Sequence, residues 1–543
     1  MEILKVSDLS FRYASEAKKT LDNVSFSVER GELVTLCGKT GSGKSTLLRL
    51  IKREISPRGD REGSVLFEGR DVLDLDAKEA ALRIGFVSQY PEEQIVTDKV
   101  WHEIAFGLEN IGVDREAMQR RVAETAQYFG LSELFDKDVS SLSGGQKQML
   151  ALASVMVMDP DVILLDEPTS QLDPISASEF ISTLHKLCRE LALTVIITEH
   201  RLEELLPISD KMIVMNQGRI HSLGAPEEVL HGLKDSGELH GFLPAPTRLF
   251  YEISRDASQC PIDIRSGRAL LEKLCDNVVR TVQVHTKKRS EKSVIRAKDL
   301  CFRYSRELPD VLCGLDLDVR EGEFYAILGG NGSGKTTALG ALAGINKCYC
   351  GRLEILGKRI EKYHGEELYN NCVAMLPQDV HVLFTRDSVR AELADAGVDM
   401  TALAPEILEL ADKHPYDLSG GQMQLVALQM ILAKRPKILL LDEPTKGLDA
   451  DAKSALKTLI SDLCLDGVTV VAVTHDVEFA ADAADFCALF FKGRIFSKGS
   501  ARDFFSENKF YTTAIGRMTK GYFDNIVSVG DAIELCKINK RKD

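Results

Sequence analysis

A glycine-rich segment near the start of the chain carries residue types that bind phosphate. Gly38–Ser45 fits the spacing GxxxxGK followed by Ser or Thr, and it lies between the apolar run Leu33–Cys37 and a helical pattern. Glycines let backbone N–H groups turn inward around phosphate oxygens, and the helix N-terminus adds its positive dipole end. Lys44 would reach the β- and γ-phosphates, and Ser45 would ligate Mg²⁺. The segment predicts a site for a nucleotide and a magnesium ion.

Two adjacent carboxylates follow a second apolar run and could complete this site. Ile163–Asp166 has the composition of a buried strand that ends in Asp166, and Glu167 comes next. Asp166 suits the Mg²⁺ shell, directly or through water. Glu167 suits a general base that polarises an attacking water. These residues predict hydrolysis of the bound nucleotide.

Every element of this site occurs a second time, in the same order. The paired segments are Gly38–Thr46 with Gly329–Thr337, Leu142–Gln146 with Leu418–Gln422 (both LSGGQ), and Leu164–Thr169 with Leu440–Thr445 (both LLDEPT). The second site therefore has Phe324–Leu328 as its strand and Lys335, Thr336, Asp442 and Glu443 as its functional residues. Two copies at this spacing indicate a duplicated domain and not a solenoid.

The distance between equivalent residues shows where the copies differ. It is 291 positions for Lys44 and Lys335, 289 for Gln89 and Gln378, and 276 for Ser143 and Ser419. The second copy is therefore expected to be shorter between its glutamine and its LSGGQ serine.

Composition shifts predict the domain bounds. We expect a first domain at residues 1–235, a linker region at 236–293, a second domain at 294–500 and a C-terminal extension at 501–543. The linker contains the Pro244–Pro246 turn and the charged run Lys287–Lys292, which is typical of a solvated segment. The extension contains Phe504, Phe505 and further aromatic residues, so we expect it to pack on another surface.

The bulk composition narrows the classes of function. The chain has 543 residues and a formal net charge of −14, which argues against nucleic acid as the main partner. Its 12 cysteines show no zinc-type spacing, and they are expected to be reduced thiols of a cytosolic protein. No apolar run reaches the ~18 residues that span a bilayer, and residues 1–20 show no secretory pattern. If the protein works at a membrane, another chain must provide the span.

The LSGGQ segments resemble the signature of ATP-binding-cassette (ABC) ATPases. Ser143 can cap the helix that begins there, with Gln146 at the capping-box position. The resemblance covers nearly the whole chain outside the linker and the extension. It implies an α/β fold with two P-loop ABC ATPase domains, each with a mixed sheet core and a helical subdomain.

The resemblance also implies roles for residues at matching positions. The adenine-stacking aromatic matches Tyr13 and Tyr304, the Q-loop glutamine matches Gln89 and Gln378, the D-loop aspartate matches Asp173 and Asp449, and the switch histidine matches His200 and His475. Catalytic roles would fall to Glu167, Glu443, both histidines and both glutamines, and Mg²⁺ would be bound by Ser45, Gln89, Asp166, Thr336, Gln378 and Asp442.

The remaining nucleotide contacts come from the two loop motifs. In the first copy they are Gly38, Lys39, Thr40, Gly41, Ser42, Gly43, Lys44, Ser45, Thr46, Ser143, Gly144, Gly145 and Gln146. In the second copy they are Gly329, Gly330, Asn331, Gly332, Ser333, Gly334, Lys335, Thr336, Thr337, Ser419, Gly420, Gly421 and Gln422. The family's mechanism implies an intramolecular head-to-tail pair in which Lys44 shares ATP with Ser419, and Lys335 with Ser143. Because both sets are intact, we predict two competent sites.

The residues after Gln89 are similar to those of energy-coupling factor (ECF) importer ATPases. Pro91–Gln94 supplies a proline, two acids and a second glutamine, and Ala105–Asn110 resembles the family pattern AFGPEN with Leu108 in place of proline. Gln171 in the D-loop and the stretch Phe504–Cys536 also suit the fused, two-cassette form. The resemblance implies an ATPase on the cytoplasmic face of the cell membrane. It would work with an integral membrane scaffold (T-type) subunit and a small substrate-capture (S-type) subunit to import a vitamin or transition-metal ion.

Two other functions fit parts of this pattern. A sugar-type importer ATPase can also be a tandem chain, but such chains commonly carry one degraded cassette. A cytosolic ribosome-associated tandem ABC protein would need a long charged linker helix and a basic surface, which the net charge and the proline-containing linker do not favour.

Overall fold

In the computed structural model, continuous apolar runs form strands buried on both faces, as expected of a parallel sheet covered by helices. The structure describes residues 1–14, 17–254, 260–276, 278–281 and 289–540. The chain divides into two compact units, Met1–Leu270 and Leu271–Asp543. The division falls inside the predicted linker, and the predicted domain bounds stay predictions.

The described residues of the first unit form ten strands and the helices that cover them. The strands are β1 (Glu2–Tyr13), β2 (Leu21–Glu29), β3 (Leu33–Gly38), β4 (Gly59–Phe67), β5 (Arg70–Asp71), β6 (Ile84–Val87), β7 (Val162–Asp166), β8 (Thr194–Thr198), β9 (Lys211–Asn216) and β10 (Arg219–Gly224). The helices are α1 (Lys44–Ile51), α2 (Ala77–Arg83), α3 (Pro91–Gln94), α4 (Val100–Asn110), α5 (Arg115–Tyr128), α6 (Gly144–Met156), α7 (Pro174–Leu191), α8 (Pro226–Gly232) and α9 (Ala245–Ile253). Helix α10 (Ile264–Leu274) spans the division between the units.

The second unit repeats the arrangement. Its strands are β11 (Ser293–Phe302), β12 (Leu312–Arg320), β13 (Phe324–Leu328), β14 (Cys350–Ile355), β15 (Lys358–Arg359), β16 (Val373–Leu376), β17 (Ile438–Asp442), β18 (Thr469–Thr474), β19 (Phe486–Phe491) and β20 (Arg494–Ser500). Its helices are α11 (Lys335–Leu342), α12 (Val389–Asp395), α13 (Pro405–Leu408), α14 (Gly420–Leu432), α15 (Ala450–Leu465), α16 (Val477–Ala483), α17 (Ala501–Glu507), α18 (Ala514–Thr519) and α19 (Val529–Ile538).

Each unit has a six-stranded sheet and a four-stranded antiparallel sheet. The six-stranded orders are β10-β9-β3-β8-β7-β6 and β16-β17-β18-β13-β19-β20, parallel except for β10 and β20. The four-stranded orders are β2-β1-β4-β5 and β12-β11-β14-β15. Helix α1 packs in one core with apolar residues of both first-unit sheets. Because β3, β7 and β8 are parallel neighbours, their carboxyl ends meet at the same edge, next to the start of α1.

The copies differ in length where the sequence predicts it. The first unit places the 14-residue helix α5 between α4 and the LSGGQ segment, and the second unit has the four-residue helix α13 there. Glu103 in α4 and Glu392 in α12 remain equivalent, since each accepts hydrogen bonds from two backbone amides six and seven residues before it. The residues that the second copy lacks therefore lie between Glu392 and its LSGGQ segment.

The predicted linker contains more regular structure than we expected. Pro244–Pro246 begins a helix instead of forming an isolated turn, because a proline in the first helical turn loses no intrahelical hydrogen bond. Leu249, Phe250 and Ile253 of α9 are buried. Residues 287 and 288 of the charged run lie outside the described residues.

Arg289, within that run, is not simply solvated. It forms an ion pair with the buried Glu323 at 2.8 Å and lies over the Phe486 ring. The C-terminal extension packs on its own unit, because Phe504 and Phe505 join a core with Leu328 and Cys487.

Candidate nucleotide-binding sites

The first phosphate loop has the geometry that the sequence predicts. Strand β3 ends at Gly38 and α1 begins at Lys44, with Gly43 at φ 96°. A side chain at Gly38 would place its Cβ 2.1 Å from the Met215 carbonyl oxygen, so this position requires glycine. Lys44 is buried, and its Nζ donates to the carbonyls of Gly38 at 2.9 Å and Lys39 at 3.0 Å. The ammonium group is thus held against the loop that would surround the phosphates.

The second phosphate loop repeats these contacts. Lys335 Nζ donates to the carbonyls of Gly329 at 2.9 Å and Gly330 at 3.1 Å. Gly334 precedes α11 at φ 102°, and a Cβ at Gly329 would lie 2.4 Å from the Phe490 carbonyl oxygen. Both loops therefore have the backbone of a phosphate cradle.

A hydroxyl and a carboxylate lie together beside each loop, where Mg²⁺ would bind. Ser45 Oγ donates to Asp166 Oδ1 at 2.9 Å, and Thr336 Oγ1 donates to Asp442 Oδ1 at 3.1 Å. Burial raises the pKa of Asp166, and it raises the pKa of Asp442 to about 6, with the neighbouring Glu443 adding to this effect. Asp442 Oδ2 is buried and has no hydrogen-bond partner among the described residues.

These oxygens fit a magnesium ion. Hydroxyl and carboxylate oxygens are the ligands that Mg²⁺ prefers, and the ion usually keeps waters and shares substrate phosphates. A cation or its bound water would satisfy Asp442 Oδ2 and favour the charged carboxylates. Bound Mg²⁺ would supply charge neutralisation at the β- and γ-phosphates.

Glu167 joins two other predicted site residues in the first copy. The backbone at Glu167 is left-handed, with φ 44°, which is unusual for a residue with a side chain. Its carboxylate accepts a hydrogen bond from Gln89 Nε2 at 3.0 Å and lies 2.8 Å from His200 Nε2. The predicted general base, the Q-loop glutamine and the switch histidine thus form one connected group.

The second copy places the equivalent residues differently. Glu443 also has a left-handed backbone, with φ 49°, but its Oε2 accepts the backbone amide of His475 at 3.1 Å and lies 2.9 Å from His475 Nδ1. Its Oε1 lies 3.7 Å from Lys335 Nζ. Burial acts to raise the pKa of Glu443, but His475 and Lys335 lower it overall. Gln378 is exposed, and no hydrogen bond joins it to Glu443 in the described part of this copy.

The LSGGQ serines begin helices in both copies, and the predicted capping box is confirmed in the first. Ser143 Oγ accepts the Gln146 amide at 3.3 Å, while Gln146 Oε1 accepts the Ser143 amide at 2.9 Å. Ser419 and Gln422 repeat the pair at 3.3 and 3.1 Å. Asp173 and Asp449, at the D-loop positions, cap α7 and α15.

Each predicted adenine-stacking tyrosine lies beside its own phosphate-loop helix. Tyr13 hydroxyl is 3.0 Å from Thr46 Oγ1, and Tyr304 hydroxyl is 2.9 Å from Thr337 Oγ1. Tyr304 is largely exposed, so its ring face is available for stacking.

Several residues that order the sites were not predicted from the sequence. Thr198 Oγ1 donates to Asp166 and accepts the Glu167 amide, both at 2.9 Å. Gln94 accepts the Ser88 amide at 2.8 Å and donates to the Phe86 carbonyl at 3.1 Å, so it fixes the loop that carries Gln89. Buried Glu199 next to His200 is a further such residue. For Thr198 and Glu199 the available signal was their position at the end of an apolar run, whereas Gln94 was already marked by its place in Pro91–Gln94.

Comparison with known proteins defines the class. The ABC transporter family model matches residues 21–170 and 312–446, one match in each copy and together more than half of the chain. An ABC transporter ATP-binding protein of Bacillus anthracis is 37% identical over 98% of both chains. One from Streptomyces avermitilis is 36% identical over 92% of this chain and 94% of its own. The chain therefore belongs to the ABC transporter family and is an ATP-hydrolysing transport ATPase with two ATP-binding domains.

A solved structure shows a further similarity. It is cbiO1 from Clostridium perfringens, described as part of the ABC transporter complex cbiONQ, with 32% identity over 43% of this chain and 94% of that chain. The TM-score of this match is 0.39. Among the described residues, no helix is both long and apolar enough to cross a membrane.

Proposed function

We propose that this chain is the ATP-hydrolysing subunit of an ECF-type importer that takes up a vitamin or transition-metal ion. The segment Gln89–Gln94 carries the proposal, because its proline, two acids and second glutamine are similar to the segment in ECF ATPases. Two hydrogen bonds of Gln94 hold this segment against β6. An ordered loop next to the predicted general base is suited to couple a partner's movement to hydrolysis.

Exposed apolar side chains next to this loop support a protein contact there. Val96 is 62% exposed, and Tyr90, Trp101 and Phe106 are also exposed, although large apolar side chains are usually buried. Leu108, which departs from the resembled pattern, is fully buried in α4. The side chain that departs from the pattern therefore lies in the core and not on the exposed surface of α4.

The partners that follow from this proposal are a T-type membrane scaffold and a small S-type capture subunit. The ATPase would then be peripheral to the cytoplasmic face of the membrane through these partners. We place the main scaffold contact on the first copy, because Leu383 replaces Gln94 at the equivalent position of the second copy.

A pull-down from native membranes tests this function. The tagged full chain is extracted in mild detergent, and its partners are identified by mass spectrometry. We expect one polytopic scaffold and one small membrane protein, and we expect Val96→Glu to lose both. Leu465→Glu is the matched control, because Leu465 is 74% exposed at the end of α15. Recovery of ribosomal proteins without membrane proteins would overturn the transporter proposal.

A further inference from the structure

Glu199 is a buried carboxylate to which the mechanism has given no role. It lies between β8 and His200 and is only 2% exposed. Its Oε1 accepts the Thr169 amide at 2.8 Å, and its Oε2 accepts the His200 amide at 3.1 Å. An acidic side chain is rarely this buried unless its oxygens are paired. One carboxylate thus joins the segment after Glu167 to the loop that carries the switch histidine.

The Thr169 amide lies two residues after Glu167, so a hydrogen bond to it can restrain the backbone conformation at Glu167. Pro168 has no N–H group, so Thr169 supplies the first amide after Glu167. The segment continues as a tight turn, in which the Glu167 carbonyl accepts the Ser170 amide at 3.2 Å. Because Glu167 itself has a left-handed backbone, its conformation needs support from its neighbours. The hydrogen bond from the Thr169 amide to Glu199 supplies such support.

The second copy shows the arrangement without this carboxylate. Thr474 occupies the position before His475, and its hydroxyl accepts the Asp476 amide at 3.0 Å. The His475 amide donates its hydrogen bond to Glu443, the predicted general base, at 3.1 Å. In the first copy Glu199 accepts the hydrogen bond of the equivalent amide, that of His200. The Glu167 carboxylate instead contacts the side chains of Gln89 and His200.

We propose that Glu199 is a positioning residue for ATP hydrolysis at the first phosphate loop. It accepts the His200 and Thr169 amides, and by doing so it keeps the Glu167 carboxylate directed to Gln89 and His200. The two ATP sites are consequently unequal before any partner binds. The proposal concerns hydrolysis by the chain itself, so its failure is distinguishable from failure of the transport proposal.

The test replaces Glu199 by the residue of the second copy. In the full chain, Glu199→Thr should lower the rate of ATP hydrolysis at the first phosphate loop about tenfold, while KM for ATP at that site changes by no more than about twofold, because the general base is misaligned and ATP contacts remain. Glu199→Gln keeps an acceptor for Thr169 and should lose about threefold. Glu204→Thr is the matched control, since Glu204 is exposed on the same segment. It should match the parent chain.

Amide hydrogen exchange separates positioning from general structural support. Exchange should rise in Glu199→Thr at residues 167–172 and 199–201 and stay unchanged at 443–448 and 474–476, so the second copy serves as an internal control. An unchanged kcat, an equal rise in KM, or faster exchange throughout both copies overturns the proposal. If Glu199→Thr does not fold, Glu199→Gln carries the same comparison with the smaller expected loss.

Discussion

Gln89 donates a hydrogen bond from Nε2 to the Glu167 carboxylate at 3.0 Å, which ties the Q-loop to the predicted general base. Glu443, the equivalent base, instead contacts His475 and lies 3.7 Å from Lys335. The sequence motifs of the two copies are nearly identical, so this difference arises from residues outside the motifs.

Removing the charge of each predicted general base should stop hydrolysis without preventing ATP binding. Glu167→Gln and Glu443→Gln should each lower hydrolysis at their own site by about 100-fold and so reduce total turnover, since a positioned general base contributes on the order of 10²–10⁴-fold. Phosphate release measures turnover, and equilibrium titration with ATP measures binding. Turnover that is untouched by either single change would show that the site concerned is not catalytic.

The two tyrosines should contribute to ATP affinity through their rings. Tyr13→Ala and Tyr304→Ala should weaken ATP binding about tenfold, because stacking of a base on an aromatic ring is worth ~1–3 kcal/mol. Tyr13→Phe and Tyr304→Phe keep the ring and remove only the hydroxyl contact with Thr46 or Thr337. Affinity that falls equally in the Phe and Ala variants would assign the effect to the hydroxyl instead.

Gln94 should stabilise the Q-loop of the first copy. Gln94→Leu copies Leu383 and leaves the Ser88 amide and Phe86 carbonyl without their partner, a loss of about 1–3 kcal/mol for buried polar groups. We expect faster amide exchange at residues 86–90 and a lower melting temperature. Leu383→Gln is the reciprocal change and should not raise stability. Unchanged exchange in Gln94→Leu would contradict the role assigned to this side chain.

The sequence predicted those parts of the fold in which a local pattern determines the structure. Leu33–Cys37 and Ile163–Asp166 are continuous apolar runs, and both lie in buried strands. The proline pair at 244–246 was assigned to a turn, because the local signal did not show that Leu249 and Phe250 bury one face of a helix. The local pattern favoured a turn there, but burial of apolar side chains favoured a helix, and the helix formed.

The residue types that would bind phosphate were identified from the sequence, but the side chains that hold them in position were not. Glycine, lysine and carboxylate types at fixed spacings predict phosphate binding, and in each copy the structure places these residues next to one another. Glu199 and Gln94 act on residues of other segments, and those contacts depend on the pairing of β7 with β8 and on the fold of the Q-loop. One-dimensional spacing contains no information on such pairing, so Glu199 was given no role and Gln94 was identified only as part of the segment that is similar to ECF ATPases.

Asp442 should make the stability of the nucleotide-free chain depend on pH. Its pKa rises from 3.8 to about 6 in the folded chain, so the folded state favours the protonated carboxyl. The associated stability is fully present below about 3.8 and is lost as pH rises through about 6, a change on the order of 3 kcal/mol. Asp442→Asn stays neutral and can still accept from Thr336. It should therefore melt several degrees higher than the parent at pH 8 and at a similar temperature at pH 4.

Thermal unfolding without Mg²⁺ or ATP measures this effect directly. Addition of Mg²⁺ and ATP should stabilise the parent chain more than Asp442→Asn at pH 8, because the bound cation favours the charged carboxylate. Asp395→Asn is the control, since Asp395 is exposed in α12 and paired with Arg386 at the surface, where such pairs contribute little. If the melting temperature of Asp442→Asn follows that of the parent at every pH, burial at this strand end does not destabilise the charged carboxylate.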